Sequence, residues 1–326
     1  MAEAFDHRVL AALVQMQLNT AEAHLTPIHT GKHNSSFWVD TPHQRFVLRL
    51  APPDHTGLLF YERRMMRQEP TLHELIRART SIPVAEVVAH DFSRTSIDRD
   101  YVLLSALPGL PLSDAGDLTP SQSDNVLEQV GAYLSQLHAL TAIDCLGVHA
   151  YGYLGAHRPI EPQPSWFAAF RLMWHRLLTD VVACGAYSAT EAQALRSLLD
   201  RHREHFMHPI QPRLLHMDVW AQNILVDATG SVTGLVDFDR ALWGDIEIEF
   251  AVLDYCGISE PGFWRGYGAA REMSASAQIR RLFYLLYEVQ KYMPIRIWRG
   301  NDPSGAAQVR AHSLAIAAQL GYEEPR

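Results

Sequence analysis

Residues 214–255 read LLHMDVWAQNILVDATGSVTGLVDFDRALWGDIEIEFAVLDY, and three polar side chains in this stretch stand at a spacing that can do chemistry. Asp218 and Asn223 are five residues apart, and Asp237 follows after two short apolar runs. Transfer of a phosphoryl group from a nucleotide to a hydroxyl needs such a set. One carboxylate orients the acceptor hydroxyl and takes its proton, while an amide oxygen and a second carboxylate hold magnesium. His216, Asp218 and Asn223 form an H-x-D-x-x-x-x-N pattern, and Asp237-Phe238-Asp239 a D-F-x pattern. Together they follow the logic of a kinase catalytic loop and metal loop.

The elements that must position these groups are legible nearby. Residues 224–227 and 232–237 are apolar and rich in β-branched side chains, with Ala228-Thr229-Gly230-Ser231 as turn residues between them. This predicts a β-hairpin that sets the distance from a loop ending at Asn223 to a strand ending at Asp237. An isolated H-x-D, or an Asp after a strand, would mean little, since the latter is commonly a helix cap. The ordered set, followed by Gly244-Asp245, is much harder to obtain by accident.

The segment resembles the aminoglycoside phosphotransferase family, on His216, Asp218, Asn223, Asp237, Phe238, Gly244, Asp245, Glu249 and Ala251 in that order. It departs at Met217, where the family usually has Gly, and at Ile246, where Pro is common. The resemblance implies an α+β, protein-kinase-like fold in two lobes. Residues 1–106 would form a small nucleotide-binding lobe around an antiparallel sheet. Residues 107–326 would form a larger helical lobe carrying the catalytic and metal loops and the acceptor site. It also implies roles: Asp218 as catalytic base or acceptor orienter, Asn223 and Asp237 on Mg2+, His216 bracing the catalytic loop and Asp245 bracing the metal loop. ATP, or GTP, is the implied phosphoryl donor.

Upstream, Gly31-Lys32-His33-Asn34-Ser35-Ser36 is a small polar loop before a strand, and its backbone N–H groups, with Ser35 and Ser36, can lie over phosphates. Gly31, Asn34, Phe37 and Val39 fit the family's pattern here. Residues 37–39 and 45–50 read as strands. Arg49, mid-strand, would reach the phosphates, since guanidinium is always charged and binds phosphate bidentately. Residues 58–79 read as a helical region holding the partner of Arg49. Glu69 aligns best with the family pattern, with Glu62 in reserve. Residues 84–90 and 101–105 are two more strand candidates, and Leu107-Pro108-Gly109 breaks the pattern sharply. In the family this is the hinge, where backbone groups of Ser105 and Leu107 would meet the base.

Thr119-Pro120 opens a helix and Ser188-Ala189-Thr190-Glu191 is a capping box. His138 reads as structural. Trp166, Phe170, Trp174 and Tyr187 form an aromatic set that is core or lines the acceptor pocket. Residues 213–255 hold eight acidic and two basic side chains, an excess that fits either an amine-rich acceptor or metal ligands and caps.

Composition narrows the class. With 48% hydrophobic and 20% charged residues over 326 positions, the chain reads as an ordinary globular protein. A net charge of −8 argues against a nucleic-acid partner held by phosphate contacts. Cys145, Cys184 and Cys256 have no metal-ligand spacing and predict buried free thiols in a reducing, cytoplasmic setting. The first residues carry early acids and do not read as a secretory signal, and no apolar run predicts a membrane span. The acceptor is expected to be a small hydroxylated molecule such as an antibiotic, amino alcohol or sugar. A Ser/Thr protein kinase and a non-catalytic nucleotide-binding regulator are the alternatives.

Overall fold

Period-2 alternation builds the N-terminal sheet. In the computed structural model, which describes residues 6–29, 33–54, 57–116 and 118–325, helix α1 (His7–Leu18) is capped by Asp6. Strands β1 (His24–Ile28), β2 (Ser35–Asp40) and β3 (Arg45–Leu50) follow. Next come α2 (Glu69–Arg79), β4 (Val87–Asp91) and β5 (Tyr101–Ser105), and the strands join as one antiparallel sheet in the order β1-β2-β3-β5-β4. Phe37 and Val39 point one way with Phe46, Leu48 and Leu50, and bury against Leu10, Leu13 and Val14 of α1. Val47, Val102 and Leu104 face the other way, with Met66 and Ala85.

The sequence expectation differs from this lobe in two places. Strand β1 is an additional edge strand, and its Pro27 is tolerated because an edge has an N–H side with no ladder to make. The helix expected over 58–79 begins only at Glu69, after a 3-10 turn at Met65–Gln68. Pro70 supplies the reason, since proline fits the first turn of a helix and not its interior.

A short strand β6 (Leu110–Pro111) leaves the hinge and pairs with the hairpin strand β8 (Ile224–Val226). The helical lobe then runs α3 (Pro120–Ala139), α4 (Ala142–Leu146), α5 (Trp166–Ala183), α6 (Ala189–Arg201) and β7 (Arg213–Leu215). The expected hairpin is β8 (Ile224–Val226) and β9 (Val232–Leu235). Its turn is tied by Asp227, whose Oδ1 accepts from the N–H of Thr229 and Ser231. Gly109 sits at φ 97°, and a Cβ there would lie 2.6 Å from the Val226 carbonyl, so the hinge must be glycine at this point.

After the hairpin come β10 (Leu242–Gly244), α7 (Ile246–Tyr255), α8 (Pro261–Tyr267), α9 (Ala275–Gln290), the short α10 (Tyr292–Pro294) and α11 (Pro303–Gln319). Strands β7 and β10 pair antiparallel and flank the motif segment. Helices α3 and α8 touch backbone to backbone, since a Cβ on Gly131 would stand 2.1 Å from the Phe263 carbonyl. Trp166, Phe170, Trp174 and Tyr187 are all buried, in one core with Phe283, Tyr284 and Tyr287 of α9. They are core, not pocket wall.

The β3–α2 connection dips into that same core. Leu59, Tyr61 and Met65 are buried with the helical residues, Phe60 N–H donates to Asp180 of α5 at 2.8 Å, and a Cβ on Gly57 would collide with Trp298 at 2.4 Å. Trp298 belongs to a π-helical turn, Ile295–Arg299. The three cysteines are unpaired, as expected, but half-buried rather than buried. Among the described residues no helix is long and apolar enough to cross a membrane.

Candidate active site

The loop from β7 to β8 is held from behind. Glu249, fully buried in α7, accepts the N–H of His216 at 2.6 Å and of Met217 at 2.9 Å, one on each carboxylate oxygen. Met217 sits at φ 68°, a left-handed conformation that glycine adopts freely and a side chain does not. The departure from the family's glycine therefore falls on the one residue of this loop where glycine has a conformational reason. His216 bridges the loop to the hairpin: Nε2 donates to the Val236 carbonyl at 3.1 Å, and Nδ1 accepts from the Asp218 N–H at 3.3 Å. These two bonds assign its tautomer. Its ring also packs on Phe238, centroid to centroid 4.2 Å.

Asp218 is gripped at both oxygens. Asn223 Nδ2 donates to Oδ2 at 2.9 Å and to the Asp218 carbonyl at 2.8 Å, which leaves Asn223 Oδ1 as its acceptor. Arg240 NH1 donates to Oδ1 at 2.7 Å. Arg240 is itself held by Glu288 of α9 at 3.0 Å and stands 5.5 Å from the centre of the Tyr61 ring. Lys291 pairs with the other oxygen of Glu288. Sequence reasoning passed over Arg240, whose partner Glu288 lies forty-eight residues away.

Arg49 is the hub of the second cluster. It donates to Glu69 at 2.6 Å and to Asp237 at 2.5 Å, with Asp239 3.4 Å away. Glu69 is thus the helical partner of Arg49, and Glu62 pairs with Arg299 instead, at 3.0 Å. Oxygens of Glu69, Asp237 and Asp239 lie within 4.8 Å of one another. One guanidinium cannot balance three carboxylates, of which Glu69 and Asp239 are buried and Asp237 is half-buried. Burial and the charge of Asp237 push Asp239 well above the usual carboxylate range, and burial raises Glu69 to about 7, while Asp237, whose burial opposes its charge, is held below that range by Arg49. A hard divalent cation would offset this crowding of carboxylates, and an all-oxygen donor set fits magnesium. Asp237 itself is left-handed at φ 70°.

The expected brace on the metal loop is corrected. Asp245 caps α7 through the Glu247 N–H at 3.1 Å and binds Arg280 and Tyr284 of α9 at 3.0 and 2.8 Å. The metal loop is tied instead by Gln68, whose Nε2 donates to the carbonyls of Asp239 at 2.6 Å and Ala241 at 3.1 Å. Asn34, from the phosphate-loop pattern, also reaches Asp239, at 3.3 Å. Gly31 lies outside the described residues.

Both clusters open on one cleft of about 1070 Å³ between the sheet and the helices. Ser36, Ser105, Leu107, Asn223, Asp218 and Asp237 line it. Ser35 does not: it shares the face of Phe37 and Val39, turned toward α1, because successive β2 residues alternate sides. Ser105 already spends its N–H on the Glu86 carbonyl at 2.9 Å, so it has no backbone donor left for a base. Among the described residues the Leu107 N–H has no backbone partner.

The acid excess of 213–255 is not an acceptor-binding surface. Asp227 ties a turn, Glu247 pairs with Arg281 at 2.9 Å, and Asp254 with Arg271 at 2.6 Å. Only Asp218, Asp237 and Asp239 reach the cleft, each beside an arginine.

An antiparallel sheet over a helical lobe, with Asp218 and Asp237 facing each other's loops across a nucleotide-sized cleft, is the arrangement of kinase-like phosphotransferases acting on hydroxyl groups of small molecules. Residues 24–282 match the phosphotransferase enzyme family, and the chain belongs to it. It is 25% identical over 270 residues, 80% of this chain and 83% of the other, to a protein of Vibrio cholerae named a probable ketoamine kinase. A protein of Lactiplantibacillus plantarum with the same name is 25% identical over 86% of this chain and 91% of its own. Among solved structures, a Haemophilus somnus protein assigned as a fructosamine-3-kinase superposes with TM-score 0.68 at 17% identity, covering 96% of this chain and 97% of that one. Aminoglycoside phosphotransferase APH(4)-Ia, solved with AMP-PNP and hygromycin B, gives 0.67 at 18% identity, covering 97% and 99%.

Proposed function

We propose that this chain transfers the γ-phosphoryl group of ATP to a hydroxyl of a small, polyhydroxylated acceptor, with a sugar-derived ketoamine as the first acceptor class to test. The observation that carries the reading is Asp218, fixed at both oxygens and opening on the cleft that also holds Arg49 and Asp237. Residues 1–106 bind the nucleotide and 107–326 bring the acceptor. Arg49, aligned by Glu69, grips the phosphates, and the Leu107 N–H meets the base. ATP is favoured over GTP because a relative of the same fold was solved with AMP-PNP. Asp237, Asp239 and the Asn223 oxygen are the residues that would hold Mg2+, whose charge offsets that of the phosphates.

Asp218 orients the attacking hydroxyl and receives its proton as the new P–O bond forms and the bond from the γ-phosphorus to the β,γ-bridging oxygen breaks, releasing ADP. Arg240 keeps the carboxylate turned toward the acceptor side. Two observations favour a sugar-like acceptor over a polycationic one. The ketoamine-kinase relatives span most of this chain. The acceptor side also has no surplus of acids, since Glu62 and Glu288 are matched by Arg299, Arg240 and Lys291.

The test is phosphate transfer from ATP and Mg2+ to a panel of fructosyl-amines, sugars, amino alcohols and aminoglycosides, with Asp218→Ala as control. Transfer to a fructosyl-amine that disappears in the variant is expected. ATP turnover unchanged by Asp218→Ala would overturn the reading.

A further inference from the structure

One side chain at the centre of the cleft has no part in the scheme above. His33 stands just before β2, beside Asn34, which binds Asp239, and near Ser36, which pairs with Arg49 in the sheet. It lines the cleft and is 16% exposed. Arg299 NH1 lies 3.0 Å from His33 Nδ1, and Arg299 NH2 3.0 Å from Glu62. A guanidinium has donors only, so Nδ1 must present its lone pair. The single ring proton of a neutral His33 is therefore on Nε2, while the ring's polar contacts among the described residues, with Arg299 at 3.0 Å and Glu62 at 3.8 Å, are both made at Nδ1.

Burial lowers the proton affinity of the ring; Glu62 and Asp237 oppose this, and Arg299 and Arg49 add to it. Arg299 cannot leave easily, because its π-helical turn is seated by Trp298 under Gly57. A residue that only pinned the loop would need Nδ1 alone. Here a part-buried arginine, itself held by the buried Glu62, fixes one nitrogen so that the other is left as a donor.

We propose that His33 is a further substrate-contacting residue, donating its Nε2 hydrogen to a γ-phosphoryl oxygen of the bound nucleotide, with Arg299 as the positioning residue that sets the tautomer. This rests on the phosphotransferase reading of the cleft. His33 lines the same cleft as Arg49, Asp237 and Asp218, the groups that the phosphotransferase reading places around the transferred phosphoryl. No bond is made or broken at the histidine, and it keeps its proton throughout. Its contribution is a charge-assisted hydrogen bond, stronger than one between neutral groups.

The test needs no knowledge of the acceptor. Dissociation constants for AMP-PNP and for ADP, each with Mg2+, are measured by titration calorimetry on the full chain, for the wild type and for His33→Ala, His33→Gln and His33→Asn. A hydrogen bond to a charged oxygen predicts a loss of roughly tenfold or more for AMP-PNP in His33→Ala, with ADP weakened by less than about twofold. The Gln amide reaches the place of Nε2 and restores AMP-PNP binding. The Asn amide reaches only the place of Nδ1 and does not.

Equal weakening of AMP-PNP and ADP, or rescue by Asn as good as by Gln, would overturn the proposal and leave His33 as a loop anchor. No effect of His33→Ala on either nucleotide would also overturn it while leaving the phosphotransferase reading standing. Failure of the wild type to bind either nucleotide would take down that reading itself.

Discussion

Changing Glu249 to glutamine tests how the catalytic loop is held. Glu249 touches no cleft atom, yet both its oxygens accept backbone N–H groups, from His216 at 2.6 Å and Met217 at 2.9 Å. A bond to a charged group is worth about 1.5–3 kcal/mol, and a buried donor left unpaired costs about 1–3 kcal/mol. Glutamine keeps one acceptor oxygen and turns an NH2 toward the second N–H. The expected loss is therefore about 2–4 kcal/mol. At about 2.1 cal/mol/K of unfolding entropy per residue over 326 residues, each kcal/mol moves the melting point by about 1.5 °C, so melting falls by about 3–6 °C. Because Asp218 follows directly, a loop displaced by about 1 Å costs up to ~100-fold in kcat.

The pH dependence has a definite sign. Burial opposes the charge of Glu249, but His138, His216 and the Met217 N–H outweigh it and hold the carboxyl below its ordinary 4.5. A depressed native pKa gives stability that is present above the ordinary value and lost as pH falls through the native one. The gap in melting temperature between wild type and Glu249→Gln should thus be full at pH 7 and close below pH 4.5. A variant that melts with the wild type and turns over at the same rate would refute the reasoning. The loop would then be held by the His216–Val236 bond and the grip of Asn223 and Arg240 on Asp218, without Glu249.

Other changes follow from the same geometry. Arg49→Ala strips the cation from the buried Glu69 and Asp239 and the half-buried Asp237. It should cost about 3–5 kcal/mol in metal-free buffer, and calorimetry should show added Mg2+ raising its melting point more than that of the wild type. Met217→Gly relieves a left-handed backbone worth about 1–2 kcal/mol but removes a side chain only 2% exposed. Losing such a side chain costs about 2–5 kcal/mol, so net destabilisation in a urea titration is expected although glycine suits the turn. Gly131→Ala drives a Cβ to 2.1 Å from the Phe263 carbonyl, where only backbone could yield. About 3 kcal/mol of lost stability, read by the same titration, is expected.

The parts of the site legible in the sequence were those whose chemistry is local. Asp218, Asn223 and Asp237 sit on one loop and one hairpin, so residue type and spacing alone nearly define their relation. Glu69 was legible through its alignment with the family pattern, and Pro70, which marks where a helix can start, is a local signal that could also have argued against Glu62. The period of a strand could have excluded Ser35 before any coordinates, since Phe37 and Val39 share its side. What was not legible depends on partners far along the chain. Gln68 reaches across 171 residues to Asp239, and Arg240 is held from α9. The acidic surplus of 213–255 stayed open between an acceptor site and ligands or caps because Arg271 and Arg281, which pair with Asp254 and Glu247, lie outside the stretch.

The connection between β3 and α2 bears on whether the two lobes can live apart. Leu59, Tyr61 and Met65 come from the nucleotide side of the sequence but complete the core built by α5 and α9. Cutting the chain at the hinge would leave a sheet fragment displaying a greasy, aromatic tongue and a helical fragment with an unfilled slot. Each half would be sticky, and mixing the two would let the tongue find its slot. Swapping lobes between relatives at that hinge would succeed only if residues 57–65 travelled with the helices they fill.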